Sequence, residues 1–109
     1  MKADLAALCV AHGLPPPVAE YKFLADRKFR FDWCWPHHPI ATALNWRLAI
    51  EIEGGAFVGG RHSRGVGFTN DMKKYELALN NNWIVYRIAP DWLGTIGTLD
   101  TIRRLLVTP

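Results

Sequence analysis

Cysteine is scarce in this chain, with only Cys9 and Cys34 among 109 residues, and the two do not form a CxxC pair. That excludes a disulfide scaffold and a cysteine-rich zinc site, and leaves two buried or free thiols with no redox role. Long apolar runs are also missing. Nothing approaches the roughly 18 residues needed to cross a bilayer, so no membrane partner is expected. The opening stretch MKADLAALCVAHG carries Asp4 and His12 where a signal peptide would be apolar, so the expected compartment is the cytoplasm. Neither sign of charge dominates: 13 Lys and Arg stand against 10 Asp and Glu, a formal +3. Such a balance permits a polyanionic partner without requiring one. Internal repeats, low-complexity tracts and linkers are absent too, so the whole chain, 1–109, is expected to form one domain.

What the chain does have is apolar mass. Half of its residues are hydrophobic, and five Trp, five Phe and three Tyr supply large rings for a small core. Leu5, Leu8 and His12 recur at helical spacing behind Asp4, and Gly13 stands where a helix would end. Pro15, Pro16 and Pro17 then enforce an extended connector. Two strands are predicted at Tyr21–Phe23 and Lys28–Trp35, joined as a hairpin through Ala25, Asp26 and Arg27. In the second, Phe29, Phe31, Trp33 and Trp35 alternate onto one face, taken as core, and Arg30, Asp32 and Cys34 onto the other.

Pro36 to Ile40 reads as a loop, and Arg47 to Glu53 as a strand with Leu48, Ile50 and Ile52 on its apolar face and Glu51 and Glu53 opposite. Ala56 to Gly67 reads as an exposed glycine-rich loop. Phe68, Met72, Tyr75 and Leu79 predict the buried stripe of a helix of about three turns, capped by Thr69 or Asn70 and presenting Asp71, Lys73, Lys74 and Glu76 outward. Trp83–Ile88 is a further strand, and Leu99, Ile102 and Leu106 mark a last helix with Thr98 as its cap. The fold class that follows is α/β: a central mixed sheet of about four strands flanked by helices.

The informative chemistry is acidic. If the strands bearing Asp32 and Glu51/Glu53 pair antiparallel, three carboxylates gather on one face. Like charges facing each other on a sheet are destabilising, so they call for a cation or a raised pKa. A divalent metal is one answer, and hard oxygen donors favour Mg²⁺ or Mn²⁺. A solvated acidic strand face is the other, and spacing by itself does not choose. Arg30 on the face of Asp32, and Arg61, His62 and Arg64 in the glycine-rich loop, supply cations suited to phosphate.

The strings RFDWCWP, LAIEIEGG, RHSRGVGFTNDMKKYELAL and WIVYRIAP together resemble the restriction-endonuclease-like PD-(D/E)xK nuclease superfamily, over roughly Glu20 to Pro90. Within it they are similar to small phage and bacterial endonucleases of the very-short-patch-repair and DUF559 groups. The resemblance implies a restriction-endonuclease-like core and Mg²⁺- or Mn²⁺-dependent hydrolysis of DNA phosphodiesters, in a bacterial host cell or encoded by a phage. By position, Asp32 is the implied first metal ligand and Glu51 the second, with Glu20 as a further acidic ligand. Phe31 replaces the motif proline, and Glu53 stands at the motif lysine. Glu53 would orient the attacking water or help to hold a second metal, or a lysine from the following helix would reach in, Lys74 in preference to Lys73 because it shares the face of Asp71. Arg30, Arg61, His62 and Arg64 are the implied DNA contacts.

So small a chain has little surface for reading a long sequence, so structured, nicked or branched DNA is the expected substrate, a Holliday junction being one form. A homodimer would allow paired cuts. The competing classes are a non-catalytic DNA-binding module on the same fold, motivated by the missing lysine, and a carboxylate-pair glycoside hydrolase, which the basic loop and the lack of an obvious sugar platform disfavour. His37 and His38 beside Cys34 fit no zinc spacing and receive no role.

Overall fold

The computed structural model describes residues 4–53 and 65–106, with side chains from 70 onward in the second stretch. Helix α1 (Leu5–Ala11) leads into strands β1 (Val18–Lys22), β2 (Arg30–Ile40) and β3 (Ala43–Ile52). Helix α2 (Gly65–Asn80), strand β4 (Trp83–Ile88), a 3-10 turn (Pro90–Trp92) and helix α3 (Ile96–Leu105) complete the chain. The sheet order is β1-β2-β3-β4. The first three strands run antiparallel and β4 lies parallel to β3, so the fold is the expected α/β domain around a four-stranded mixed sheet. A parallel neighbour requires a crossover, and α2 supplies it.

Local chemistry sets the ends of these elements. The Asp4 carboxylate accepts the Ala7 N–H at 3.1 Å and caps α1. Gly13, at φ +75, turns the chain into the proline connector in a conformation that side chains with a Cβ disfavour. Trp35, fully buried, donates its indole N–H to the Pro15 carbonyl at 2.7 Å and ties that connector to the core.

Two apolar layers cover the two faces of the sheet. On one, Leu5 and Cys9 of α1 and Leu99 and Ile102 of α3 pack with Trp33, Trp35, Leu48, Ile50 and Ile88. On the other, Ala78 of α2 packs with Phe31, Cys34, Ala49 and Trp83. Both cysteines are free and buried, one in each layer. Burial pushes the Cys9 thiol up to about 11 and the Cys34 thiol up to about 12, Arg47 opposing the latter shift.

Several sequence expectations need correction. The four aromatics of β2 do not share a face: Phe31 joins the α2 layer and stacks on Phe23 at 4.1 Å, Trp33 and Trp35 join the other layer, and half-buried Phe29 precedes the strand. The two-residue alternation breaks at Asp32, where the strand's N–H goes to a carboxylate. Residues Pro36 to Ile40 continue β2 instead of forming a loop, with register shifts against β3. Prolines are tolerated there because the β1 pairing ends at Cys34, leaving that edge without a ladder to interrupt.

Helix α2 begins at Gly65, so Thr69 and Asn70 lie inside it and not at its cap. Its inward positions are Lys74, Tyr75 and Ala78, while Met72 and Leu79 are exposed. The cap of α3 is Thr95, whose hydroxyl accepts the Thr98 N–H, one turn before the expected Thr98. Arg103, in the last turn of α3, donates to the His12 carbonyl at 2.8 Å and so ties α3 to the end of α1.

Trp35→Phe removes the bond to Pro15 and some core volume, and is expected to cost about 2 kcal/mol, read as a lower urea midpoint at unchanged slope. Neither thiol is expected to react with a water-soluble disulfide reagent in the native protein, and both are expected to react in urea.

Candidate functional site

Asp32 and Glu51 occupy adjacent antiparallel strands, one step beyond the Trp33–Ile50 pair. At this step side chains replace the backbone ladder. The Asp32 N–H donates to Glu51 Oε2 at 2.9 Å, and the Ile52 N–H donates to Asp32 Oδ2 at 2.8 Å. Each carboxylate therefore accepts a backbone N–H from the strand that bears the other. Each carboxylate thus satisfies a backbone donor of the opposite strand, which fixes the two acids side by side on the sheet.

Lys74 completes the group from α2, its ammonium donating to Glu51 Oε1. Both partners are largely removed from water, with side-chain exposures of 14% for Lys74 and 7% for Glu51. Burial pushes the Glu51 carboxyl above its ordinary value, and the Lys74 bond, the Asp32 N–H and the Lys74 charge pull it back. The lysine ammonium also lies 5.9 Å from the centre of the Phe31 ring. Lys74 thus points inward, not onto the outward face expected for it, and the exposed ion pair of α2 is Lys73–Glu76.

Glu53 lies one residue beyond the end of β3 and belongs to a separate group. Its Oε1 accepts the Tyr75 hydroxyl at 2.5 Å and Arg87 Nε at 3.0 Å. The Arg87 guanidinium sits 4.8 Å from the centre of the Tyr75 ring. Burial, and then the bond to Glu53, push the Tyr75 hydroxyl well above the usual phenol range. The expected patch of three carboxylates is therefore divided into Asp32/Glu51 with Lys74, and Glu53 with Tyr75 and Arg87. Among the described residues, no three His, Cys, Asp or Glu side chains form a group able to hold a metal ion. The cations that relieve the like-charge repulsion here come from α2 and β4.

Other expected site residues fall as follows. Glu20 lies on β1 between the Ala19–Trp33 and Tyr21–Phe31 pairs, opposite Asp32 in register, at φ +51. A non-glycine residue in that left-handed region is strained by about 1 kcal/mol. Arg30 is exposed and pairs with Lys22 across the strands. Arg61, His62 and Arg64 lie outside the described residues. His37 and His38 line a separate concavity of about 220 Å³ with Leu44 and Arg47. Tyr75, read only as core, and Arg87, given no role, prove to be the partners of Glu53. The available signal was a lone arginine in the otherwise uncharged strand WIVYRI, beside a strand with an unpaired acid.

The sign of the Glu51 shift generates a stability prediction. A folded-state carboxyl raised above its unfolded value contributes stability at low pH, lost as pH rises through the raised value. Lys74→Met removes the compensating cation and is expected to destabilise the protein by about 3 kcal/mol at pH 7. The loss should shrink as the pH is lowered and the stranded Glu51 takes up a proton. Adding Glu51→Gln to Lys74→Met is expected to recover most of the stability in the same urea titrations. No family model matches this chain, and no curated protein or solved structure does either.

Proposed function

We propose that the chain is a metal-dependent endonuclease that hydrolyses DNA phosphodiester bonds, with a core of the restriction-endonuclease-like type. The observation that carries this reading is the interlocked Asp32–Glu51 pair with Lys74 on Glu51. A purely solvated acidic face would need neither the reciprocal N–H bonds nor a buried lysine.

The donor set fits Mg²⁺ or Mn²⁺, which bind through one or two carboxylates and keep several waters. Asp32 and Glu51 would hold the ion; Glu20, the further ligand implied by the resemblance, does not gather with them into a three-carboxylate group in this structure. A bound ion would supply Lewis-acid stabilisation of phosphoryl oxygens and acidify water near neutral pH.

The protein's own residues do the rest. Reciprocal N–H bonds fix the two carboxylates before substrate arrives, so little reorganisation accompanies the reaction. Lys74 brings a positive charge to the place where charge accumulates on the phosphate, taking the part of the lysine that β3 lacks. Glu53 has one oxygen held by Tyr75 and Arg87, and its other oxygen would be the one to orient water. Structured, nicked or branched DNA remains the proposed substrate, a four-way junction included. A second reading, a DNA-binding module without catalysis, draws on the ion pair that already occupies Glu51 and on the engagement of Glu53 by Arg87.

Asp32→Asn keeps an oxygen for the Ile52 N–H it now accepts and should fold, whereas Glu51→Gln keeps one for the Asp32 N–H but strands the Lys74 ammonium, so its folding is checked by urea titration before assay. Mg²⁺-dependent nicking of supercoiled plasmid is expected to fall below detection in both, and on the order of 10²-fold in Lys74→Ala. Mg²⁺ at 100 times its dissociation constant should stabilise the wild type by about 2.7 kcal/mol and leave Asp32→Asn unchanged. Binding without nicking in either metal, across plasmid, mismatched duplex and four-way junctions, would select the non-catalytic reading.

A further inference from the structure

Beyond Glu53, at the ends of β3 and β4, Glu53, Arg87, Ile88, Ala89 and Trp92 line a concavity of about 390 Å³. That is within the roughly 300–1,000 Å³ of small-ligand sites. Of the five tryptophans, Trp92 is the exposed one, with 52% of its surface open, whereas Trp33, Trp35 and Trp83 are buried and Trp46 is half-buried. Its backbone is nonetheless tightly held. The Trp92 N–H donates to the Ala89 carbonyl at 3.0 Å, and its carbonyl accepts the Thr95 N–H at 3.1 Å and the Thr95 hydroxyl at 2.8 Å. The adjacent Leu93 is buried in the core. An exposed indole carried on a fixed backbone offers surface for a base to stack on at little backbone ordering cost.

Arg87 supplies the charge. Its Nε is committed to Glu53 and one face of its guanidinium covers Tyr75. Its two terminal nitrogens have no partner among the described residues, and the side chain is 56% exposed. A guanidinium oriented at one edge and open at the other is suited to bidentate contact with a phosphate. We propose that this concavity holds one unpaired nucleotide beside the carboxylates, its base stacked on Trp92 and its phosphate on Arg87. The choice of a nucleotide rests on the nuclease reading, which brings a phosphodiester chain to the neighbouring Asp32–Glu51 pair. The site would make the protein prefer DNA with a single-stranded or frayed segment over continuous duplex.

The test is binding in EDTA, which needs no catalytic metal. Wild type, Trp92→Leu, Trp92→Phe and Arg87→Gln are titrated with a fluorescent ten-residue oligothymidylate and with a blunt duplex of equal length. Wild type should bind the single strand with quenching of tryptophan emission. Trp92→Leu should bind it about tenfold more weakly and lose most of the quench, while its duplex affinity is unchanged. Trp92→Phe should recover most of the affinity. Arg87→Gln should lower the salt slope by about 0.7, the loss of one phosphate contact on a single strand. Wild-type indifference to the single strand, equal binding by Trp92→Leu, or quenching by cellohexaose in place of the oligonucleotide would overturn the proposal. A protein that nicks plasmid but is indifferent to Trp92→Leu removes this inference alone. One that never nicks, yet binds single strands through Trp92, removes the nuclease reading alone.

Discussion

Asp32 and Glu51 meet where two strands would ordinarily exchange backbone bonds, and each carboxylate instead satisfies an N–H of the opposite strand. This exchange lets two acidic side chains occupy neighbouring positions on a sheet without forcing the strands apart. It also ends the regular alternation of β2, so that Phe31 and Trp33 face different layers. Burial alone would make Glu51 a poor carboxylate. The Lys74 ammonium counters that penalty, and the resulting ion pair fixes α2 over β3 at a position its small apolar contacts would define weakly.

The two faces of the sheet consequently do different work. The face under α1 and α3 is an ordinary close-packed core, in which Trp35, Leu48, Ile50 and Ile102 are fully buried. The face under α2 is apolar around Phe31, Cys34 and Trp83 and becomes ionic toward Glu51 and Glu53. Helix α2 therefore presents Lys74 and Tyr75 to the sheet and leaves Met72 and Leu79 outside. A helix positioned by ion pairs and a phenol is less stable than one with a continuous apolar stripe. That sacrifice is the pattern expected where an element serves a site as well as a core.

Much of the architecture could be read from the chain itself. Element order, the β4 boundaries and the apolar side of β3 follow from hydrophobic period, proline and glycine, because each is decided within a few residues. Asp32, Glu51, Glu53 and Lys74 could be singled out as a candidate group, of which Asp32, Glu51 and Lys74 meet while Glu53 turns to Tyr75 and Arg87. Tyr75 and Arg87 escaped notice because their significance depends on Glu53, 22 and 34 positions away. The α2 stripe misled for the same reason: Met72 and Leu79 have the right spacing for a core, but the sheet beneath offers carboxylates that draw Lys74 inward. Pro36 and Pro39 read as a loop until the pairing of β2 shows which of its edges needs no N–H.

The amino-acid sequence by itself determined the α/β class, the strand carrying two acids, the absence of any apolar run long enough to span a bilayer, and the scarcity of thiols, since these depend on composition and on periods of two to four residues. The tertiary structure alone decided which acids share a site, which cation each receives and which tryptophan faces water. Those outcomes turn on strand register and helix rotation, where a shift of one residue exchanges the buried face for the exposed one.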